Sequence, residues 1–172
     1  MSEQRYFFSE RQLDRLFPFH LLLDRKLNIL SAGSGMAKLL PSLAGHDFSL
    51  HFRLKRPGNV KSAWEAWKRL ENQLLILEAN HSGQLFRGQL EFISDKEQVL
   101  FLGSPWFNSM DEVKQNNLTL DDFPAYDPMI DLLHVMKTQE IVNKDILELL
   151  QEINHQKEKI VTSSGRLSIL IS

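Results

Sequence analysis

The six histidines are the residues of this 172-residue chain best suited to metal binding or proton transfer. They lie at positions 20, 46, 51, 81, 134 and 155, and none forms an HExxH motif. The closest spacing is that of His46 and His51, and this pair is weak evidence for a metal site. His20 alternates with Phe19 and Leu21 on a predicted strand. We therefore expect packed or exposed histidines rather than ligands.

Other motifs that could support catalysis are incomplete. The stretch "AGSGMA" resembles a dinucleotide-binding loop, but it lacks the last glycine of that motif and the acidic residue at the end of a second parallel strand. A tight turn is therefore favoured. Ser104 in "GSPW" is not in a nucleophile elbow. Asp121 and Asp122 offer too few oxygens for a cation. With no cysteine there is neither a thiolate nor a disulfide. We predict no catalytic residue, no cofactor-binding residue and no metal site.

Composition and charge exclude further classes. The formal net charge is -2, so neither a nucleic-acid nor an anionic-membrane surface is indicated. The short basic run "HFRLKRPGNVK" is read as a solvated loop. The N-terminus lacks the apolar core of a signal peptide, and no apolar run approaches the ~18 residues of a membrane span. The sequence thus favours a soluble, cytoplasmic protein.

The first half of the chain alternates short helices and strands. Residues 1–17 are predicted to form an N-terminal amphipathic helix with a capping box at Ser9 and Gln12. A β-hairpin follows within "FHLLLDRKLNILSAG", and then a short helix in "GSGMAKLLP". One extended segment is predicted from Phe48 to Leu54. An amphipathic helix capped by Asn59 is predicted beyond it.

Three strand-like runs come next, "QLLILEA", "QLFRGQLEFIS" and "QVLFLGS", and Ser104 with Pro105 is expected to end the last. The period-2 pattern of the middle run is typical of a half-buried antiparallel strand. This order predicts an α+β fold: a PAS-like antiparallel sheet with flanking helices, over 18–127. Four large apolar residues could either line a ligand pocket or fill the core, and a filled core is favoured. They are Trp64, Trp67, Phe86 and Phe92.

A long helix is predicted to follow, over 128–163. Asp127 can cap it, and Pro128 suits its first position. With Trp106, these two residues are predicted to form the joint between sheet and helix. The first turns of this long helix could instead fold back on the sheet.

A heptad repeat runs along this predicted helix and indicates a coiled coil between chains. Charges at Glu152, Lys157 and Lys159 flank the seam, and a parallel dimer is favoured, with antiparallel pairing left open. The tail, 164–172, begins with a helix breaker and reads as the start of an output region or a frayed end. The predicted interface residues are Leu132, Val135, Gln139, Val142, Ile146, Leu149, Ile153 and Ile160.

Several blocks together resemble a known family. They are "FPFHLLLDRKLNILSAGSGMAKLLP", "HFRLKRP", "LFRGQLEF", "LFLGSPWFNSMDEV" and "LTLDDFPAYDPMIDLLHV". This stretch, from about Phe17 to Leu133, is similar to the heme-NO-binding-associated (H-NOXA) domain, the PAS-like module of soluble guanylate cyclases and related bacterial signalling histidine kinases. Tyr126 stands where family members often have histidine.

The resemblance implies a function in signalling rather than chemistry. In that family the module follows a heme nitric-oxide sensor and precedes a coiled coil leading to a cyclase or kinase. We expect a homodimer, or a heterodimer with a related chain, that relays such a signal. We expect neither a heme sensor nor a catalytic domain within these residues. Two alternatives are a PAS sensor with its own ligand, and the N-terminal part of a kinase or cyclase.

Overall fold

The computed structural model describes residues 6–171 and contains helices, strands and two short 3₁₀ turns. The parts of the predicted N-terminal helix at 1–5 and of the predicted tail at 172 lie outside the described residues. The helices are α1 (Glu10–Leu16), α2 (Ser34–Leu39), α3 (Phe48–His51), α4 (Trp64–Lys68), α5 (Met110–Gln115) and α6 (Pro128–Leu170). The strands are β1 (Leu21–Asp24), β2 (Ile29–Ala32), β3 (Phe52–Arg56), β4 (Leu75–Ala79), β5 (Leu85–Ile93) and β6 (Gln98–Trp106).

The six strands form one sheet in the order β2-β1-β6-β5-β4-β3, and every neighbouring pair is antiparallel. The predicted β1-β2 hairpin and the β4-β5-β6 run are confirmed, and they meet where β1 pairs with β6. The helices α2 and α3 lie in the connection from β2 to β3. The predicted α+β class, with an antiparallel sheet, flanking helices and a long C-terminal helix, is confirmed.

The predicted alternation of β5 is also confirmed. Phe86 and Leu90 are buried, whereas Arg87 and Glu91 on the opposite face are exposed. This is the pattern of a strand with one face on an apolar core and one face toward solvent. The side chains of largest volume in the core include five fully buried phenylalanines: Phe19, Phe52, Phe86, Phe101 and Phe107.

The extended segment predicted from Phe48 to Leu54 is wrong in its first half, which is helix α3. Asp47 caps α3, and its carboxylate accepts a hydrogen bond from the Ser49 N–H at 2.8 Å. The alternating apolar residues were misleading because Phe48 is buried but Leu50 is exposed. The strand begins only at Phe52.

The amphipathic helix predicted after Asn59 is shorter than expected and has a different cap. Asn59 has a φ of 61°, in the left-handed region, whereas an N-cap residue normally has extended backbone. The helix α4 therefore starts at Trp64, after Ala63.

Ser104 and Pro105 do not end the last strand, which continues to Trp106. Strand β1 pairs with β6 only between Gln98 and Phe101. Beyond that point β6 continues beside β5, where Pro105 pairs with Phe86. A proline is tolerated there because its missing N–H is not needed on an edge without a paired strand.

Helix α6 begins at Pro128 as predicted, but it continues past residue 163 to Leu170. The predicted helix breaker is wrong, because a glycine inside a helix costs only about 1 kcal/mol relative to alanine. The Ser168 hydroxyl donates to the Gly165 carbonyl at 2.8 Å. At 1.5 Å per residue the helix is about 65 Å long. The chain divides into two compact units between Ile130 and Asp131, and α6 begins in the first of them.

Candidate interaction helix and its attachment point

Asp127 connects the first turn of α6 to the sheet through two hydrogen bonds. Its Oδ1 accepts from the Met129 N–H at 2.9 Å, which caps the helix. Its Oδ2 accepts from the Ser104 hydroxyl at 2.8 Å. One carboxylate therefore binds both β6 and the N-terminus of α6, where its negative charge also complements the helix dipole.

Tyr126 connects the same point to α1. Its hydroxyl donates to the Leu16 carbonyl at 2.5 Å, and its ring meets that of Phe17 edge to face. Partial burial raises the pKa of Tyr126, although 60% of the residue is exposed, and the neighbouring Asp127 carboxylate adds to that effect. The hydroxyl therefore remains a protonated donor at neutral pH. The C-terminus of α1, strand β6 and the start of α6 thus converge on two consecutive residues.

Trp106 lies at the end of β6, two residues beyond Ser104. Its side chain is 41% exposed, and its carbonyl accepts a hydrogen bond from the Gln84 side chain at 2.8 Å. The hydrogen bond from β6 to Asp127 comes from Ser104, a residue that sequence reasoning treated as a strand terminator. One sequence signal could have predicted this hydrogen bond: Ser104 lies two positions before Trp106, so both side chains are on the same face of the strand.

The predicted seam of α6 is exposed along its length. Its apolar members have between 40% and 65% of their surface accessible, and Gln139 is exposed as well. Every described residue from Lys137 to Ile171 is exposed. The structure places the predicted interface residues on one continuous helix, where residues at heptad spacing share a face.

The longer helix adds two apolar residues to this seam. Leu167 and Leu170 follow Ile160 at the next a and d positions of the same heptad, and both are exposed. The sequence prediction omitted them because it ended the helix at residue 163. Lys144 and Glu148 form an intrahelical ion pair at 3.9 Å, outside the seam.

Close packing explains why glycines occupy the "AGSGMA" turn, without any bound nucleotide. A side chain at Gly33 would place a Cβ 2.2 Å from the Pro18 carbonyl oxygen, and one at Gly35 would place it 2.6 Å from the Phe19 ring. His20 is buried, and its Nδ1 is 2.8 Å from the Phe17 carbonyl oxygen. These contacts account for a tight turn packed against the start of β1.

The apolar residues considered for a pocket pack against aromatic neighbours. Trp64 meets Phe92, and Trp67 meets Phe48, each edge to face with ring centres 5.2 and 4.8 Å apart. Phe86 similarly meets Phe52 at 5.9 Å. Such edge-to-face pairs are the preferred packing of aromatic rings in cores.

The described residues can be compared with the requirements of a metal site, a membrane-spanning helix and a cation site. Within residues 6–171, no group of three or more histidine, aspartate or glutamate side chains is arranged to hold a metal ion. No helix in that range is long and apolar enough to span a membrane. Asp122, considered above for a cation, instead pairs with Lys38 at 2.5 Å.

Comparisons with known proteins fit this architecture. The model of the family described as heme NO binding associated matches residues 7–85 and 80–164. The chain therefore belongs to this family. The match includes α1 and most of α6, and so extends beyond the Phe17 to Leu133 stretch recognised from sequence blocks.

Relatives of the chain include subunits of soluble guanylate cyclases. It is 28% identical over 165 residues to guanylate cyclase soluble subunit alpha-2 of Homo sapiens, covering 83% of this chain and 21% of that protein. It is 23% identical over 177 residues to subunit beta-2 of Rattus norvegicus, covering 96% of this chain and 25% of that protein. The chain thus spans about a quarter or less of the length of these relatives.

Proposed function

We propose that this chain is a non-catalytic regulatory and dimerisation module, which relays a signal through a coiled coil formed by α6. The exposed seam of α6 is the single observation that carries this proposal. In this proposal 18–127 is the PAS-like module, 128–163 with its extension to Leu170 is the signalling helix, and the protein is cytoplasmic. The partner is a second copy or a related chain.

The physical reason for pairing is the apolar surface of the seam. Soluble monomers rarely expose a contiguous apolar strip of this length, because pairing would remove it from water. Ile146, Ile153 and Ile160 at a positions favour two parallel strands, and Gln139 is suited to fixing the register. In a parallel dimer, Glu152 of one chain would lie beside Lys157 of the other.

The relay would begin at the attachment point of α6. Tyr126 and Asp127 link α1, β6 and the first turn of α6, so a shift in the sheet or in α1 changes how the helix starts. A packed helical seam has discrete arrangements and passes such a shift along as a change in register or rotation. By family resemblance, the input comes from a heme nitric-oxide sensor and the output is a cyclase or kinase.

Cysteine cross-linking tests the parallel pairing, since the chain has no cysteine of its own. Leu149→Cys introduces one thiol at a d position, and Gln151→Cys introduces one on the outer face as the matched control. A parallel dimer brings the two thiols introduced by Leu149→Cys within disulfide range, so mild oxidation of the full chain should give covalent dimers of this variant.

Little cross-linking is expected of the Gln151→Cys control. Equal cross-linking of the two variants would indicate random collisions and would contradict a defined seam. A dimeric Leu149→Cys chain that does not cross-link would contradict the parallel register on which the relay depends.

A further inference from the structure

Three histidines that are separate in sequence belong to neighbouring segments of the first unit. His46 lies before α3, His51 is its last residue, and His81 lies in the β4-β5 turn. The Nδ1 of His46 and the Nε2 of His51 are 3.0 Å apart. The coiled-coil proposal uses none of these residues.

The two rings meet edge to edge. Their planes differ by 20°, and their centres are 5.2 Å apart, which is the nitrogen separation plus about one ring radius at each end. The in-plane lone pairs of both nitrogens therefore point into the same gap. Without a bound ion, one nitrogen must donate a proton to the other, because two lone pairs repel at this distance.

A metal ion could replace that proton if both rings tilted, because their nitrogens now face each other along one line, whereas a tetrahedral ion needs the two lone pairs to converge at an angle. Zn–N bonds are about 2.0–2.1 Å long in tetrahedral sites, which puts two imidazole nitrogens on one ion about 3.3 Å apart. The gap between His46 and His51 would need to open by only a few tenths of an ångström. The tilt of the two rings is sterically open, since His46 is exposed and His51 is half-exposed.

Backbone hydrogen bonds hold each histidine in place independently. The His46 carbonyl accepts from the Ile29 N–H at 2.8 Å, beside β2. The His51 carbonyl accepts from the Asn80 N–H at 2.8 Å, beside the β4-β5 turn. The Asn80 side chain also donates to the Ser49 carbonyl at 2.9 Å, at the end of α3. The backbone positions of the two histidines are thus fixed before an ion binds, which lowers the entropy cost of binding.

The donor set indicates the class of ion. Imidazole nitrogens suit Zn²⁺, Cu²⁺ and Ni²⁺, whereas Ca²⁺ and Mg²⁺ require oxygen ligands. The nearby Asp47 carboxylate accepts hydrogen bonds from the Ser49 N–H and hydroxyl.

We propose that His46 and His51 form a two-histidine surface site for a divalent transition-metal ion such as Zn²⁺, with water completing the coordination. Binding would connect the segment beside β2 to the start of β3, which are strands at opposite edges of the sheet. An ion bound only by the folded module would raise its stability by mass action. The site is independent of dimerisation.

Calorimetric titration of the untagged full chain with ZnCl₂ at neutral pH tests this proposal. We expect one ion per chain for the wild type. His46→Gln and His51→Gln should each weaken binding by at least about tenfold, because each removes one of two protein ligands. His155→Gln, which removes an exposed histidine on α6, is the matched control and should bind as the wild type does.

Thermal unfolding provides a second readout that also checks folding. Without metal, the variants should melt near the wild type, because both side chains are at least partly exposed. Zn²⁺ should raise the Tm of the wild type and of His155→Gln, but not that of His46→Gln or His51→Gln. Absence of Zn²⁺ binding by the wild type, or equal binding by the His46→Gln/His51→Gln double variant, would overturn the site.

Discussion

Asp127 is the residue on which the start of α6 depends most directly. Its carboxylate makes both the cap to Met129 and the hydrogen bond from Ser104. Asp127→Ala should therefore lower the free energy of unfolding by about 1–2 kcal/mol, the usual effect of losing an N-cap. Urea unfolding followed by circular dichroism measures this change.

Two variants serve as controls for this prediction. Asp127→Asn keeps an acceptor that can cap the helix and should recover most of the stability. Asp131→Ala removes an exposed acidic side chain from the same first turn and should cost much less. If Asp127→Ala matched Asp131→Ala, the carboxylate would have no special part in starting the helix.

The ion pair of Asp122 with Lys38 predicts a pH dependence. Burial raises the pKa of Asp122, but hydrogen bonds from Lys38 and Thr119 outweigh it, and the pKa lies below its ordinary value of 3.8. A lowered pKa in the folded state means stability that is present at higher pH and is lost as the pH falls through the folded pKa. Asp122→Asn should thus cost about 0.5–1 kcal/mol at pH 7, because Lys38 is half-exposed and screened.

This difference between the wild type and Asp122→Asn should vanish at pH values well below about 4, where both chains carry a neutral side chain at position 122. Denaturant titrations at pH 7 and in acid measure it. Asp121→Asn, at the exposed neighbouring carboxylate, is the control and should have little effect at either pH. A constant difference at all pH values would mean that the ion pair contributes nothing.

Single residues also mark the limit of sequence reasoning. The cap at Asp127 was predictable because an acidic residue before a proline is a local signal. The Ser104 and Tyr126 hydrogen bonds were not, because they join residues distant in sequence, such as Tyr126 and Leu16. The pair of His46 and His51 was noticed in the sequence but disfavoured as a site, because the contact between the two rings depends on the unpredicted helix α3.

At the scale of elements, Gly165 is a weak point inside α6. A Cβ at this position meets open space, and the residue lies in regular helix. Gly165→Ala should therefore stabilise the helix by about 0.5–1 kcal/mol, through lower backbone entropy in the unfolded chain. Circular dichroism should record a higher helical signal and a higher melting temperature of α6.

Gly83 is a matched control for this prediction. A Cβ added at Gly83 would also meet open space, but the φ of this residue is 71°, in the left-handed region. Gly83→Ala should therefore lose stability, because alanine is strained in that conformation. A loss of helical signal in Gly165→Ala would argue that the helix does not pass continuously through this residue.

The elements that were predicted well have strong local periodicity. Strand β5 and the first 36 residues of α6 follow clear period-2 and heptad patterns. The errors lie where a helix cap or a neighbouring strand determines where an element begins or ends. Asp47 starts α3 inside an apparently alternating run, and left-handed Asn59 delays α4. Strand β6 continues past Pro105 because of its position beside β5, which no local pattern reveals.

At the scale of the whole molecule, the first unit and helix α6 differ in what stabilises them. The first unit has its own core of buried phenylalanines, whereas α6 from Lys137 onward has only exposed side chains within the described chain. A single helix of this composition is marginal in water without tertiary packing. Pairing along the seam would provide that packing, and it would make the stability of α6 depend on protein concentration.

Light scattering of the purified chain beside the Ile146→Asn/Leu149→Asn variant tests this account most directly. The wild type should have a mass of about 40 kDa, twice the 20.0 kDa of one chain. The variant should be a monomer whose aromatic core remains folded by near-ultraviolet circular dichroism, because two adjacent layers of the seam become polar. A monomeric wild type, or a variant that stays dimeric, would contradict the proposal that α6 holds two chains together.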